Sequence, residues 1–151
     1  MTATSTNTDA DPEFSLRVLR PQEVTERWPE ISGLLERAIE YCHGDLELDD
    51  IKVLMDDGKA FILLLEKDGR ACLASACEVI EYPRRRVLNV IATAGERLDL
   101  VTGPFWHLVA DIGRQLGAQS VRGSVRSSMQ RLYRRIAPDA TVAYNILERT
   151  L

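Results

Sequence analysis

Apolar residues recur along this chain at two spacings, and the points where the spacing changes mark its elements. Residues 14–20, "FSLRVLR", alternate apolar and polar, with Phe14, Leu16 and Val18 on one side. That is the period of a half-buried strand. Pro21 ends it. From Val24 to Tyr41 the apolar positions Val24, Trp28, Ile31, Leu34, Leu35, Ala38 and Ile39 fall at three- and four-residue steps, which predicts one amphipathic helix. Pro29 belongs in an early turn of that helix or at its true start, and Gly44 supplies a stop. A second, short helix follows in "LDDIKVLMDDG", with Leu48, Ile51, Leu54 and Met55 on one face, acidic residues in the first turn and Gly58 as terminator.

The pattern then becomes strand-like. In "KAFILLLEKDGRACLASACEVIEYP" two apolar runs are divided by Lys67-Asp68-Gly69-Arg70, and Asp-Gly between such runs is a strong hairpin signal. Pro83 closes the second run. "RVLNVIATAG" is a third strand, which after the short "PRRR" connection lies antiparallel to its predecessor. Gly103-Pro104 opens a helix whose buried stripe is Phe105, Leu108, Val109, Ile112 and Leu116, and Gly117 ends it. Residues 120–126, "SVRGSVR", form a short strand. A strand, helix, strand sequence requires a crossover, so this strand is expected parallel to the one ending near Ala94. Ser127 or Ser128 caps a last helix lined by Met129, Leu132, Tyr133 and Ile136, and "ATVAYNILERTL" alternates as a closing strand. The expected architecture is α/β with a mixed sheet, in the order β-α-α-β-β-β-α-β-α-β.

At 151 residues the chain makes one domain, 14–151, preceded by a polar, acidic tail, 1–13, that is expected to be disordered. The tail has neither the basic nor the apolar region of a secretion signal, and no apolar run is long enough to span a bilayer. Cys42, Cys72 and Cys77 have no metal-ligand spacing, and their odd number suits a reducing compartment, with the cytoplasm as default. Cys72 and Cys77 stand five apart on a strand, which places them on opposite faces. Net charge is −4 and unevenly distributed: the tail and residues 40–57 are acidic, whereas Arg84, Arg85, Arg86, Arg122, Arg126, Arg131, Arg134 and Arg135 follow later. Arginine suits the forked recognition of phosphates and carboxylates, although each of these also reads as a solvated surface residue.

The element order, with Tyr133 in "SSMQRLYRRI", resembles the GNAT N-acetyltransferases over nearly the whole chain after residue 13. The helix "GPFWHLVADIGRQLGA" and the arginine-rich end are similar to a divergent group of bacteriophage GNAT-like proteins. The resemblance implies that the strands 87–94 and 120–126 splay apart and leave main chain free to pair with the pantetheine arm of acetyl-CoA, as an added strand would. Val90, Ile91, Ala92 and Thr93 then line the cofactor. Its pyrophosphate goes to the N-terminus of the next helix near Gly103, with Arg97 in the preceding loop and Ser127 at the start of the last helix.

In the family the phosphate loop reads Q/R-x-x-G-x-G/A. Here "TAGERLDLVTGP" follows Arg97 with Leu98, Asp99, Leu100, Val101 and Thr102, so no glycine occupies either motif position. The resemblance also implies that Tyr133 protonates the departing CoA thiolate, and that Glu78 or Glu81 accepts the proton of the acceptor amine. Read without the resemblance, Tyr133 is equally a helix core residue with its hydroxyl at the edge, and both glutamates are solvated strand residues. His43 and His107 have no partner at nucleophile or metal spacing, and Ser124 in "RGSVR" lacks the second glycine of a nucleophile elbow.

Two functions follow from the resemblance. One is an acetyl-CoA-dependent N-acetyltransferase acting on an amine of a small molecule or protein. The other is a catalytically inactive GNAT-fold interaction protein, such as a phage accessory factor that binds a host protein. Either is compatible with a homodimer. Nucleic acid binding through "RRR" and "RLYRR" is a third reading, disfavoured by the acidic total and the few aromatics.

Overall fold

The computed structural model describes residues 6–7, 14–42, 44–96, 102–125, 130–143 and 145–151. Six strands, β1 (Thr6–Asn7), β2 (Phe14–Val18), β3 (Ala60–Lys67), β4 (Arg70–Glu81), β5 (Arg86–Gly95) and β6 (Ser120–Gly123), form one sheet in the order β1-β2-β3-β4-β5-β6. Successive neighbours are antiparallel from β1 to β5, and β6 joins β5 in parallel. Both sequence expectations for the central sheet hold: the hairpin turns at Asp68-Gly69, each with positive φ, and the crossover after β5 returns as a parallel strand. β1 is a departure, because Thr6 and Asn7 pair with Leu16 and Ser15 inside a segment expected to lack structure.

The helices are α1 (Pro21–Glu26), α2 (Trp28–Ile39), α3 (Leu48–Asp56), α4 (Thr102–Gln115) and α5 (Gln130–Ile136), and a 3-10 turn, Glu40–Cys42, follows α2. The single helix expected over 24–41 is two, broken at Arg27 (φ −104°, ψ 10°). Pro29 accounts for the break: it has no N–H to give to the carbonyl four residues back, so it is accommodated in the first turn of a new helix. The closing strand expected over 140–151 is absent among the described residues, where 140–143 and 145–151 carry no regular structure and are exposed. Alternation makes a segment fit to be a strand, but a strand exists only against a hydrogen-bonding neighbour.

Each face of the sheet buries its own core. On one side Phe14, Leu16, Leu63, Leu65, Leu73, Cys77 and Leu88 pack against Phe105, Leu108, Val109 and Ile112 of α4. On the other, Ile62, Leu64, Ala74, Ala76 and Ala92 pack against Val24, Ile31, Leu35, Ile51 and Met55 of α1 to α3. The small residues of β4 and β5 let α2 lie close over them. Cys72 and Cys77 share the α4-side core instead of facing apart. The cause is a register shift: Leu65 pairs with Leu73 and Glu66 with Ala71, so Cys72 is an extra residue that resets the alternation.

A charge cluster fastens α1 and α2 to the β2–β3 side of the sheet. The Glu66 carboxylate, 11% exposed, receives Arg17 at 3.0 Å and Arg27 at 2.8 Å. Arg17 also reaches Glu23 at 2.8 Å, and Arg27 reaches Glu30 at 3.0 Å. The Ala71 N–H donates to Glu30 at 2.7 Å, which ties α2 to the start of β4.

Candidate functional site

The candidate site lies where β5 and β6 part company. Their parallel ladder runs from Val87↔Ser120 to Val90↔Gly123 and stops, yet β5 continues through Gly95. The cause lies on the other edge of β5. Cys77 pairs with Val90 and Ala76 with Ala92, leaving Ile91 as one residue too many. Such a bulge bends its strand and increases the local twist. Here it falls at the residue after the last β5–β6 pair. Over Ile91–Gly95 the ladder engages β4 alone among the described residues, and no residue of β6 pairs with this stretch.

Gly95 fixes the far end of that stretch. At φ +145° a Cβ would lie 2.2 Å from the Cys72 carbonyl oxygen and 2.5 Å from Leu73 Cα, so only glycine lets β5 press this closely on β4. The Glu96 N–H then donates to the Cys72 carbonyl at 2.7 Å. The chain next enters α4 at Thr102, and this fourteen-residue helix carries the positive end of its dipole at that terminus. A strand edge without a ladder partner, leading towards a helix N-terminus, offers hydrogen bonding to an extended chain and then attraction for an anion.

Of the residues expected to line a cofactor, Val90, Ile91, Ala92 and Thr93 lie in β5 at and beyond the bulge. The Thr93 hydroxyl is 2.8 Å from that of the buried Ser75, which holds its side chain towards β4. Gly103 lies in the first turn of α4. Arg97 and Ser127 lie outside the described residues, as do Arg126, Ser128, Met129 and His43. His107, Ser124 and Glu81 are exposed, and Glu81 is ion-paired with Arg86.

The two residues expected to move protons are on opposite faces of the sheet. Tyr133, on α5, is half-buried against α4, its ring edge-on to Trp106 with centroids 6.3 Å apart. Glu78, on β4, has the parity of Ala74 and Ala76 and so faces the α1–α3 side. Glu78 accepts a hydrogen bond from Asn89 Nδ2 at 3.0 Å, and Asn89 pairs with Arg122 on β6. Arg122 in turn donates to the Tyr82 hydroxyl at 3.0 Å with its guanidinium 5.5 Å from that ring's centre. Sequence reasoning passed over Asn89, and its signal was a lone amide in the apolar run "RVLNVIATA". Burial pushes the Cys77 thiol, under the same strands, up to about 12, which makes it an inert core residue at neutral pH.

No family model and no curated protein matches the sequence. Solved structures do. An aminoglycoside acetyltransferase from an uncultured soil metagenomic sample, in complex with sisomicin, superposes with a TM-score of 0.72 at 10% identity, over 95% of this chain and 99% of its own. The ribosomal-protein-alanine N-acetyltransferase of Brucella melitensis biovar Abortus 2308 gives 0.66 at 14% identity, over 91% and 99%. Aminoglycoside N-acetyltransferase AAC(6')-Iy in complex with CoA gives 0.65 at 10% identity, over 91% and 95%. With a mixed sheet parted after Val90, two helical layers and these superpositions, the chain has the fold of the GNAT acetyltransferases.

Proposed function

We propose that the protein is an acetyl-CoA-dependent N-acyltransferase that acts on an amine. The observation that carries this reading is the parting of β5 from β6 at the Ile91 bulge, with β5 running on beyond the last β6 pair through Gly95. A pantetheine arm has amide groups at the spacing an added strand would use, so it can pair along Ile91–Gly95, with the pyrophosphate at the start of α4. In acyl transfer the amine nitrogen attacks the thioester carbonyl, an N–C bond forms and the C–S bond breaks. Glu78 takes the proton lost by the amine, and Tyr133 gives its phenolic proton to the leaving thiolate. Their placement on opposite faces suits this division of work, because acceptor and thiol approach the carbonyl through the opening from different sides.

The deciding experiment is calorimetric titration of the purified protein with acetyl-CoA, backed by native mass measurement for co-purified CoA. Saturable heat with about one site per chain is the expected result. No heat and no bound CoA would remove the reading. A second reading, a GNAT-fold protein that binds a macromolecular partner without catalysis, is favoured by the missing glycines after Arg97. It predicts CoA binding, if any, without acetyl transfer to any amine.

A further inference from the structure

A polar pair interrupts an apolar face of the sheet. On the α1–α3 side Ala76 pairs with Ala92, both buried, and Ile80 pairs with the buried Val87. Between these rows Glu78 pairs with Asn89, and both are half-buried. The α2 residues over this face, Ile31, Leu35, Ala38 and Ile39, are apolar as well. Aliphatic side chains would suit both positions better, because a half-buried strand favours β-branched residues and a carboxylate and an amide give up water there. Such a departure from the local pattern, two residues from the Ile91 bulge, is expected at a working site.

The pair is built in one direction. Asn89 Nδ2 donates to Glu78 Oε1 at 3.0 Å. An ionised carboxylate only accepts, so the amide turns its nitrogen and not its oxygen towards it. The carboxylate makes no second hydrogen bond among the described residues, which leaves Oε2 able to accept a proton. Ala60, the neighbour of Glu78 on β3, brings no polar side chain, and Arg122, beyond Asn89 on β6, donates to the Tyr82 hydroxyl at 3.0 Å. Tethering one oxygen of a long, flexible glutamate confines the other, and a base must be confined to reach its proton at about 2.6–3.2 Å between heavy atoms.

We propose that Asn89 is a positioning residue for the acyl transfer: its amide tethers one oxygen of Glu78 so that the other meets an N–H of the acceptor amine. This rests on the acyl-transfer reading above and adds a residue that acts through Glu78. As the amine nitrogen attacks the thioester carbonyl, the N–C bond forms and the C–S bond breaks. The amine proton passes to Glu78 Oε2, and the thiolate takes the phenolic proton of Tyr133. The Asn89 N–H stays on Oε1 throughout and favours the ionised carboxylate that the first transfer needs.

The test is a double-mutant cycle on Glu78→Gln and Asn89→Leu. Acetyl-CoA is supplied with glucosamine, spermine or an alanine-terminated peptide, and products are identified by mass. In Asn89→Leu kcat should fall roughly 10- to 100-fold with the KM for acetyl-CoA unchanged. The acid limb of kcat against pH should move up by about one unit, because the ionised carboxylate has lost a donor. Asn89→Asp, which sets a second carboxylate against the first, should move it further, and carries the same test where Asn89→Leu does not fold. Asn89→Gln keeps an amide and should recover part of the rate. On the Glu78→Gln background Asn89→Leu should cost nothing more, since the group it acts through is already gone. Thermal melts of all variants separate these effects from loss of fold. An equal loss on both backgrounds, or an acid limb that stays in place, makes Asn89 a packing residue and overturns the proposal. So does the absence of any acetylated amine although acetyl-CoA binds. Absence of acetyl-CoA binding is a different result, and it removes the acyl-transfer reading itself.

Discussion

The rings of Trp106 and Tyr133 meet edge to face, with centroids 6.3 Å apart and planes inclined at 76°. This contact joins α5 to α4 and fixes where the phenol is carried. Tyr133→Phe keeps the ring and removes only the hydroxyl. On the acyl-transfer reading kcat should fall about 10²- to 10⁴-fold, while acetyl-CoA heat and the thermal melt stay close to wild type. Full activity in the variant would return Tyr133 to a packing role.

Removing Ile91 tests the bulge directly. Val90 already faces α4 and Ala92 already faces α2, so deletion restores a regular alternation without turning either side chain to the wrong face. The shortened strand should fold, pair further with β6, and lose at least about tenfold in acetyl-CoA affinity because the edge offered to an added strand is closed. Calorimetry alongside a circular-dichroism melt separates loss of binding from loss of fold.

Gly95→Ala should be costly. A methyl at this position would overlap the Cys72 carbonyl and Leu73 Cα on backbone of β4, which no side-chain movement can relieve, and its φ of +145° is strained for any other residue. A loss of about 2–5 kcal/mol is expected from overpacking and strain together, measured as a shift in the urea midpoint. A loss within about 0.5 kcal/mol, the range of ordinary surface changes, would mean that the two strands are free to separate there.

Acid should loosen α1 first. The Arg20 backbone N–H, with help from the Arg17 and Arg20 side chains, holds the Glu23 carboxyl at about 2 against an ordinary 4.5. A depressed carboxylate stabilises the fold above its unfolded value, so this contribution is whole above about pH 4.5 and is lost as pH falls towards 2. The side chain is 17% exposed, and after allowance for solvent screening the effect is about 1–2 kcal/mol. Denaturation midpoints measured between pH 5 and 2 should fall less steeply in Glu23→Gln than in wild type.

What the sequence disclosed and what it withheld divide along one physical line. Local signals were legible: Asp68-Gly69 made a hairpin, Gly58 and Gly117 ended helices, and the stripe Phe105, Leu108, Val109, Ile112 faced the core. Even the break at Arg27 had its signal in Pro29. Relations between strands were not legible. The bulges at Cys72 and Ile91 are differences in count between partners, and neither residue announces itself in a single strand. The same holds for 140–151, whose alternation is real although no neighbour pairs with it among the described residues. Tyr133 and Glu78, which the acyl-transfer proposal uses, were nameable as residue types, whereas the row through Asn89 to Arg122 appears only once the registers are known.

The cluster around Glu66 has a consequence for how the molecule responds to its medium. The β2–β3 rim is joined to α1 and α2 through guanidinium–carboxylate contacts, with Arg17 still 27% and Arg27 21% exposed. Mobile ions weaken such contacts while strengthening the burial of hydrocarbon. Concentrated sodium sulfate should therefore quicken amide exchange along β2 even as it slows exchange in α4, so that one solvent change loosens one flank of the protein and tightens the other.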